Sequence, residues 1–430
     1  MAVSARLALA ALVGVLVVAV AGSWAAFWAV DLALVVLVAV DLALAGSVRA
    51  LRVVRSGDVA VRLGERAKVT LLVSNPGTRR VRGVLRDAWP PSAGAVNARQ
   101  PLDLPPGERR AMTVELVPTR RGDRTPDRVT VRAFGPLGLA ARQGAHAAPW
   151  RVRVLPAFAS RKHLPTKLAR LRDLDGRTPV LVRGQGTEFD SLREYVPGDD
   201  IRSIDWRASA RAGDVVVRTW RPERDRHLLL VLDTGRTSAG RVGDAPRLDA
   251  AMDAALLLAA LATRAGDRVD LVAHDRVLRA AVQGRSATDV LPDMVQAMAT
   301  LEAVLVEPDW RALVSQVQRR APHRSLVVLL SALDPAPVEY GLLPELGRLT
   351  ARHQVVLASV ADPRVAEMAA GRGDAGAVYR AAAGSQAMLG RAQVGARLRR
   401  AGVEVVEGSP EQLPPRLADA YLALKAAGRL

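Results

Sequence analysis

From Leu7 to Ala45 the chain is almost unbroken Leu, Val and Ala, and no other feature limits its folding so severely. One helix crosses a bilayer with about 20 apolar residues, so this stretch is nearly two spans long. Gly22-Ser23 falls near its middle, where a turn between two helices must lie, and Trp24, Phe27 and Trp28 beside it suit an interfacial belt. The prediction is a transmembrane helical hairpin over residues 1–50. Arg6 on one side and Arg49, Arg52 and Arg55 on the other place both ends in the cytoplasm under the positive-inside rule. The expected location is therefore the plasma membrane, multi-pass, with the soluble domains facing inward.

A cleaved signal peptide ending near Ala21 is the competing reading, and it leaves Trp24–Ala45 as a span in any case. Two carboxylates, Asp31 and Asp41, interrupt the apolar run. An intramembrane acid is a functional hint by default, and here Asp31 is read as a helix-pairing contact.

Beyond Arg55 the texture changes to short alternating runs: VAVRL at Val59, KVTLLV at Lys68, VRGVLRD at Val81, MTVELV at Met112, VTVRAF at Val129 and VRVLP at Val152. Met112, Val114 and Leu116 alternate with Thr113 and Glu115, the period of two that a half-buried strand requires. Asn75-Pro76-Gly77, Pro90-Pro91 and Pro105-Pro106-Gly107 punctuate the runs as turns. An immunoglobulin-like β-sandwich is expected over residues 51–155.

From His227 onward apolar runs alternate with helical periods. LLLVL at Leu228 precedes an amphipathic helix through Leu248, Met252, Ala255 and Ala259; VDLVA at Val269, LVVLLS at Leu326 and VVLASV at Val355 follow. Strands alternating with helices predict an α/β doubly wound parallel sheet over residues 227–430. Its ligands would bind at the carboxyl ends of the strands, in the loops after Leu232, Leu330 and Val360.

Between these regions, residues 156–226 hold a short helical pattern at Leu164–Leu174 and then an unusual cassette. The chain has only seven Trp, four Tyr and four Phe, yet Phe189, Tyr195, Trp206 and Trp220 fall within it. Glu188, Arg193, Glu194, Asp199, Asp200, Arg202, Asp205, Arg207 and Arg211 are interleaved with those rings. Buried rings beside paired charges, welded onto the α/β body, are the expectation, because charges next to aromatic anchors are costly to bury unpaired. Asp199-Asp200 after Pro197-Gly198 reads as turn chemistry and ion pairing.

The order G-x-G-x-E-F, L-R-x-Y, G-D-D-x-R-x-I-D-W, S-A-R closely resembles the signature of the domain of unknown function 58 family, and the whole chain resembles that family in layout. The carried-over signature residues are Glu188, Phe189, Arg193, Tyr195, Gly198, Asp199, Arg202, Asp205, Trp206, Ser209 and Arg211. The resemblance implies a von Willebrand factor A-like (Rossmann-like) domain and a role beside MoxR-type AAA+ ATPases. It implies a membrane-anchored, non-enzymatic adaptor that binds such an ATPase or its protein client.

Asp233-Thr234-Gly235-Arg236-Thr237 resembles the metal-ion-dependent adhesion loop D-x-S-x-S of von Willebrand factor A domains. Asp233 and Thr237 match a carboxylate and a hydroxyl, but Gly235 replaces the first serine, and Ala332 stands where a further acid is usual. A hard cation needs near-octahedral oxygen ligation, so Asp233 is expected to cap backbone rather than hold Mg²⁺, and no cofactor is expected. Alternatives from other classes are a metal-dependent adhesion module on Asp233 and Thr237, and a hydrolase using Asp199, Asp200 and Asp205.

The net charge is +18, but no basic stripe with stacking aromatics appears, so nucleic acid is not an expected partner. The absence of cysteine excludes disulfide frameworks and thiol chemistry. There is no Walker motif, no HExxH spacing among the six histidines and no G-x-S-x-G.

Overall fold

A computed structural model describes residues 2–176, 188–197, 199–221, 226–284 and 288–430. The chain forms two compact units, Met1–Ala157 and Phe158–Leu430.

In the first unit, helices α1 (Ala5–Ala21) and α2 (Trp24–Leu44) make the hairpin. Gly22 terminates α1 in the left-handed region at φ 60°, a conformation that favours glycine, and Ser23 caps α2 through the amide of Ala26. Trp24, Phe27 and Trp28 stack edge to face at this turn, with both indoles exposed. Among the described residues one helical stretch, Trp24–Ala50, is long and apolar enough to cross a membrane; Ala5–Ala21 is apolar but shorter.

At the other end of the hairpin, Asp41 is fully buried and accepts hydrogen bonds from the amides of Leu137, Leu139 and Ala140 at 2.7–3.0 Å. A Cβ on Gly135 would lie 2.2 Å from the Asp41 carboxylate, so only glycine admits this approach. Asp31, by contrast, is exposed on α2. Asp41 therefore satisfies itself by tying the hairpin to a β-turn that lies far from it in sequence.

The β-rich remainder of this unit follows the alternation. Ala67–Ser74 pairs with Arg52–Gly57 and Arg109–Leu116 in a four-stranded antiparallel sheet; Val81–Asp87, Val129–Phe134 and Ala140–His146 lie in a five-stranded one. Leu71, Val73 and Met112 from the first sheet and Leu85, Val129 and Val131 from the second share one core. Arg55, expected as a positive flank of the membrane run, is instead buried. It pairs with the fully buried Asp87, donates to the Ala148 carbonyl and lies 5.5 Å from the Trp89 ring centroid. Burial works against its charge, and the Asp87 carboxylate opposes that effect.

The second unit is built on six strands: β1 (His227–Asp233), β2 (Arg268–His274), β3 (Leu278–Val282), β4 (Leu326–Leu330), β5 (Gln354–Val360) and β6 (Val403–Gly408). Their order is β3-β2-β1-β4-β5-β6, parallel throughout except for the antiparallel edge β3. Leu229, Val231, Val327, Leu329, Val355 and Leu357 face one layer, which includes Trp310, Leu313 and Val317 of the helix Trp310–Arg320. The alternate positions face the other layer, where the helix Arg247–Arg264 is buried along most of its length. Helices on both faces explain why the strands read as continuous apolar runs rather than alternating ones.

Candidate functional site

The cassette is a small folded piece of its own. Glu188–Glu194 and Val216–Arg221 pair as antiparallel strands with an irregularity between Phe189 and Ser191. Between them the chain makes a turn, a 3₁₀ turn at Ile201–Ser203 and a short helix, Trp206–Ala212, closed by Gly213 at φ 81°.

Of the charges foreseen as a network, Arg193, Asp199, Asp200 and Asp205 pin these connections. Arg193 reaches Asp199 at 2.5 Å, while Asp199 also accepts from the Val196 amide at 3.0 Å. Asp200 accepts from the Arg202 amide, starting the 3₁₀ turn. Asp205 caps the helix through the amides of Arg207 and Ala208, each at 3.0 Å, and its other oxygen lies 2.7 Å from Arg218. The Ala208 amide and then Arg218 hold the Asp205 carboxyl below the usual aspartate range. Ser209 donates to the Asp205 carbonyl and accepts from the Val216 amide at 3.0 Å, closing helix onto strand. Asp199, Asp200 and Asp205 thus serve turns, a cap and ion pairs.

Two of the four rings, Tyr195 and Trp206, depart from expectation. Trp206 is 67% exposed and Tyr195 half-buried, whereas Val216 and Val217 are buried; the Phe189 and Trp220 side chains lie outside the described ones. The reason is local: Asp205 must sit at the cap with its carboxylate turned toward Arg218, and the next residue then opens the helix on its outer side. Leu192, Val196, Ile201 and Val215 are exposed as well. Arg202, Arg207 and Arg211 are exposed without an ion-pair partner among the described residues. Glu188 and Phe189 lie on the first strand. Gly184, Gly186 and Gly198 fall outside the described residues.

At the carboxyl edge of the large sheet, Asp233 is 2% exposed and accepts from the Gly235 amide at 2.7 Å, Thr237 Oγ1 at 3.1 Å and Ser331 Oγ at 2.6 Å. Burial pushes its carboxyl up, and these three donors oppose the shift. A second acid, Asp275, is buried beside it and takes Thr234 Oγ1 at 3.0 Å and Arg279 at 2.6 Å. Arg247 bridges the Thr237 carbonyl and Asp334, both at 3.4 Å. Among the described residues no group of three or more His, Cys, Asp or Glu side chains is placed to hold a metal. The loop resembling an adhesion site is occupied by its own hydroxyls and an arginine. The sequence did not disclose Arg218, Ser331 or Asp275 as partners, because each pairs across the fold rather than at a helical or strand spacing.

The protein families bear on the same stretch. Residues 191–403 match the family described as Protein of unknown function DUF58. The DUF58 match covers most of the cassette and the sheet through the start of β6, and it begins just after Glu188 and Phe189. An uncharacterized protein of Mycobacterium tuberculosis, Rv1480, is 26% identical over 190 residues, which are 44% of this chain and 59% of that protein. The uncharacterized protein YeaD of Bacillus subtilis is 26% identical over 130 residues, covering 30% of this chain and 32% of that one. The alignments thus span about three fifths or less of the relatives' own length. Among solved structures, the CARDB domain of the PF1109 protein from Pyrococcus furiosus covers 24% of this chain and 91% of its own, at 20% identity and a TM-score of 0.19. A likeness that weak carries no weight for the fold or ligands of the DUF58-matching chain.

Proposed function

We propose that this chain is a membrane-anchored, non-enzymatic adaptor whose cassette and α/β unit bind a protein partner, a MoxR-type AAA+ ATPase or its client. The observation that carries the reading is Trp206, a large ring turned outward on a frame pinned by a helix cap and ion pairs. Exposed apolar groups on such a frame mark interaction surfaces, and Trp and Arg dominate the residues that carry binding energy there. Arg202, Arg207 and Arg211 supply the charged surround and favour an acidic face on the partner.

In the same reading the α/β unit is von Willebrand factor A-like, supported by a doubly wound order with one antiparallel edge strand, and the β-rich region is an immunoglobulin-like sandwich. Both α1 and α2 cross the plasma membrane as a hairpin, with Arg6, Arg49 and Arg52 on the cytoplasmic side. Recognition without turnover fits Asp199, Asp200 and Asp205, each of which is committed to a backbone or arginine partner. Co-purification from detergent-solubilised membranes tests the proposal: an AAA+ ATPase should accompany the full chain and be at least tenfold depleted with Trp206→Ala. Recovery of the chain without any AAA+ protein would overturn it.

A further inference from the structure

We propose that the cavity at the amino edge of the large sheet binds a small phosphate-class oxyanion. This cavity of about 180 Å³ opens where β1 and β4, neighbours at the centre of the sheet, begin with Leu228 opposite Leu326. It lies at the opposite edge from Asp233, beside which the crevice is only about 10 Å³, scarcely room for one water.

Its walls carry positive charge that is not paired among the described residues. Arg226 and Arg324 both line it, and neither has a carboxylate within 4.0 Å among the described residues; Arg324 makes only a long 3.5 Å bond to the Arg429 carbonyl. Asp267, the one acidic side chain on the wall among the described residues, is already engaged by the Tyr421 hydroxyl and by Lys425 at 3.2 Å. His227 is fixed between Asp270 at 3.0 Å and Ser325 at 3.1 Å, so its ring nitrogens are used within the protein and the arginines are left as the donors to a ligand. Two planar guanidiniums suit the several acceptor oxygens of a phosphate, which arginine binds with two parallel hydrogen bonds. The Ser325 hydroxyl is within 3.0 Å of the His323 carbonyl and its residue is 4% exposed, so it serves as a fixed polar contact and not as a nucleophile.

This site is independent of partner docking at the cassette. Isothermal titration of the full chain in detergent with inorganic phosphate, and separately with glycerol 3-phosphate, against chloride of equal ionic strength tests it. Saturable heat is expected with at least one ligand, weakened at least tenfold in Arg226→Gln and in Arg324→Gln. The melting temperature without ligand should not change, because neither arginine has an ion pair to lose among the described residues. Tighter binding of the ester would assign the site to a phosphorylated metabolite, and equal binding to the free anion. No saturable heat with either ligand, or unchanged affinity in the double variant, would overturn the proposal.

Discussion

Ser331 Oγ donates to Asp233 Oδ2 at 2.6 Å, joining the carboxyl ends of the two central strands β1 and β4. With Thr237 and the Gly235 amide, it gives the buried carboxylate three neutral hydrogen-bond donors.

The first prediction concerns acidity. Burial raises the folded-state pKa of Asp233 above the ordinary value of 3.8, so the folded chain takes up a proton at a pH where the unfolded chain has lost it. The stability this group contributes is complete below that ordinary value and is lost as pH rises through the raised one. Melting temperatures should therefore fall relative to Asp233→Asn as pH increases above about 4. A constant difference between the two proteins across that range would contradict the assignment.

Metal removal should have little effect. With each Asp233 oxygen accepting a hydrogen bond and the Thr237 hydroxyl already donating, Mg²⁺ would have to break native bonds to enter. Adding EDTA or millimolar Mg²⁺ should leave the melting temperature unchanged. A Mg²⁺-dependent rise that disappears in Asp233→Ala would show the loop to be a working cation site.

In the β-rich unit, Arg55 and Asp87 are buried together, and removing one partner strands the other's charge away from water. Asp87→Asn should destabilise this unit by about 3–5 kcal/mol, read from denaturant unfolding of the solubilised chain. A loss below about 1 kcal/mol, the size expected of an exposed pair, would show that water reaches the guanidinium.

Much of this architecture was legible in the sequence. Period-two alternation marked strands such as Arg109–Leu116, because one face of an antiparallel sheet meets the core and the other meets water. Unbroken runs such as Leu228–Leu232 marked strands covered on both faces. The short strands Gly122–Arg124 and Ala95–Val96 were missed, being too brief to show a period. So was the edge strand Leu278–Val282, where Arg279 breaks the apolar run. Asp41 illustrates a deeper limit. A carboxylate in an apolar run is visible at once, but its partners, the amides of Leu137, Leu139 and Ala140, exist only after the chain has returned from the β-rich region. Within the cassette, residue types disclosed the roles of Asp199, Asp200 and Asp205, since Asp before a helix and Pro-Gly-Asp in a turn are local chemistry, but the exposure of Arg202, Arg207 and Arg211, unpaired among the described residues, was not foreseen. The direction of Trp206 was not disclosed, because a seven-residue helix is too short for its period to say which face is outward.

An exposed ring contributes little to folding and much to binding when it is the anchor of an interface. Trp206→Ala should thus change stability by no more than about 0.5 kcal/mol and weaken partner binding by at least about 2 kcal/mol. Thermal unfolding and a titration with the purified partner separate the two effects. Comparable losses in both would make Trp206 a structural residue.

Photo-crosslinking from position 206 addresses partner recognition most directly. With benzoylphenylalanine placed there in the full membrane-anchored chain and irradiated in intact membranes, a discrete adduct containing an AAA+ ATPase or its client is predicted. Adducts only with lipid or with the chain itself, or none, would contradict the adaptor role.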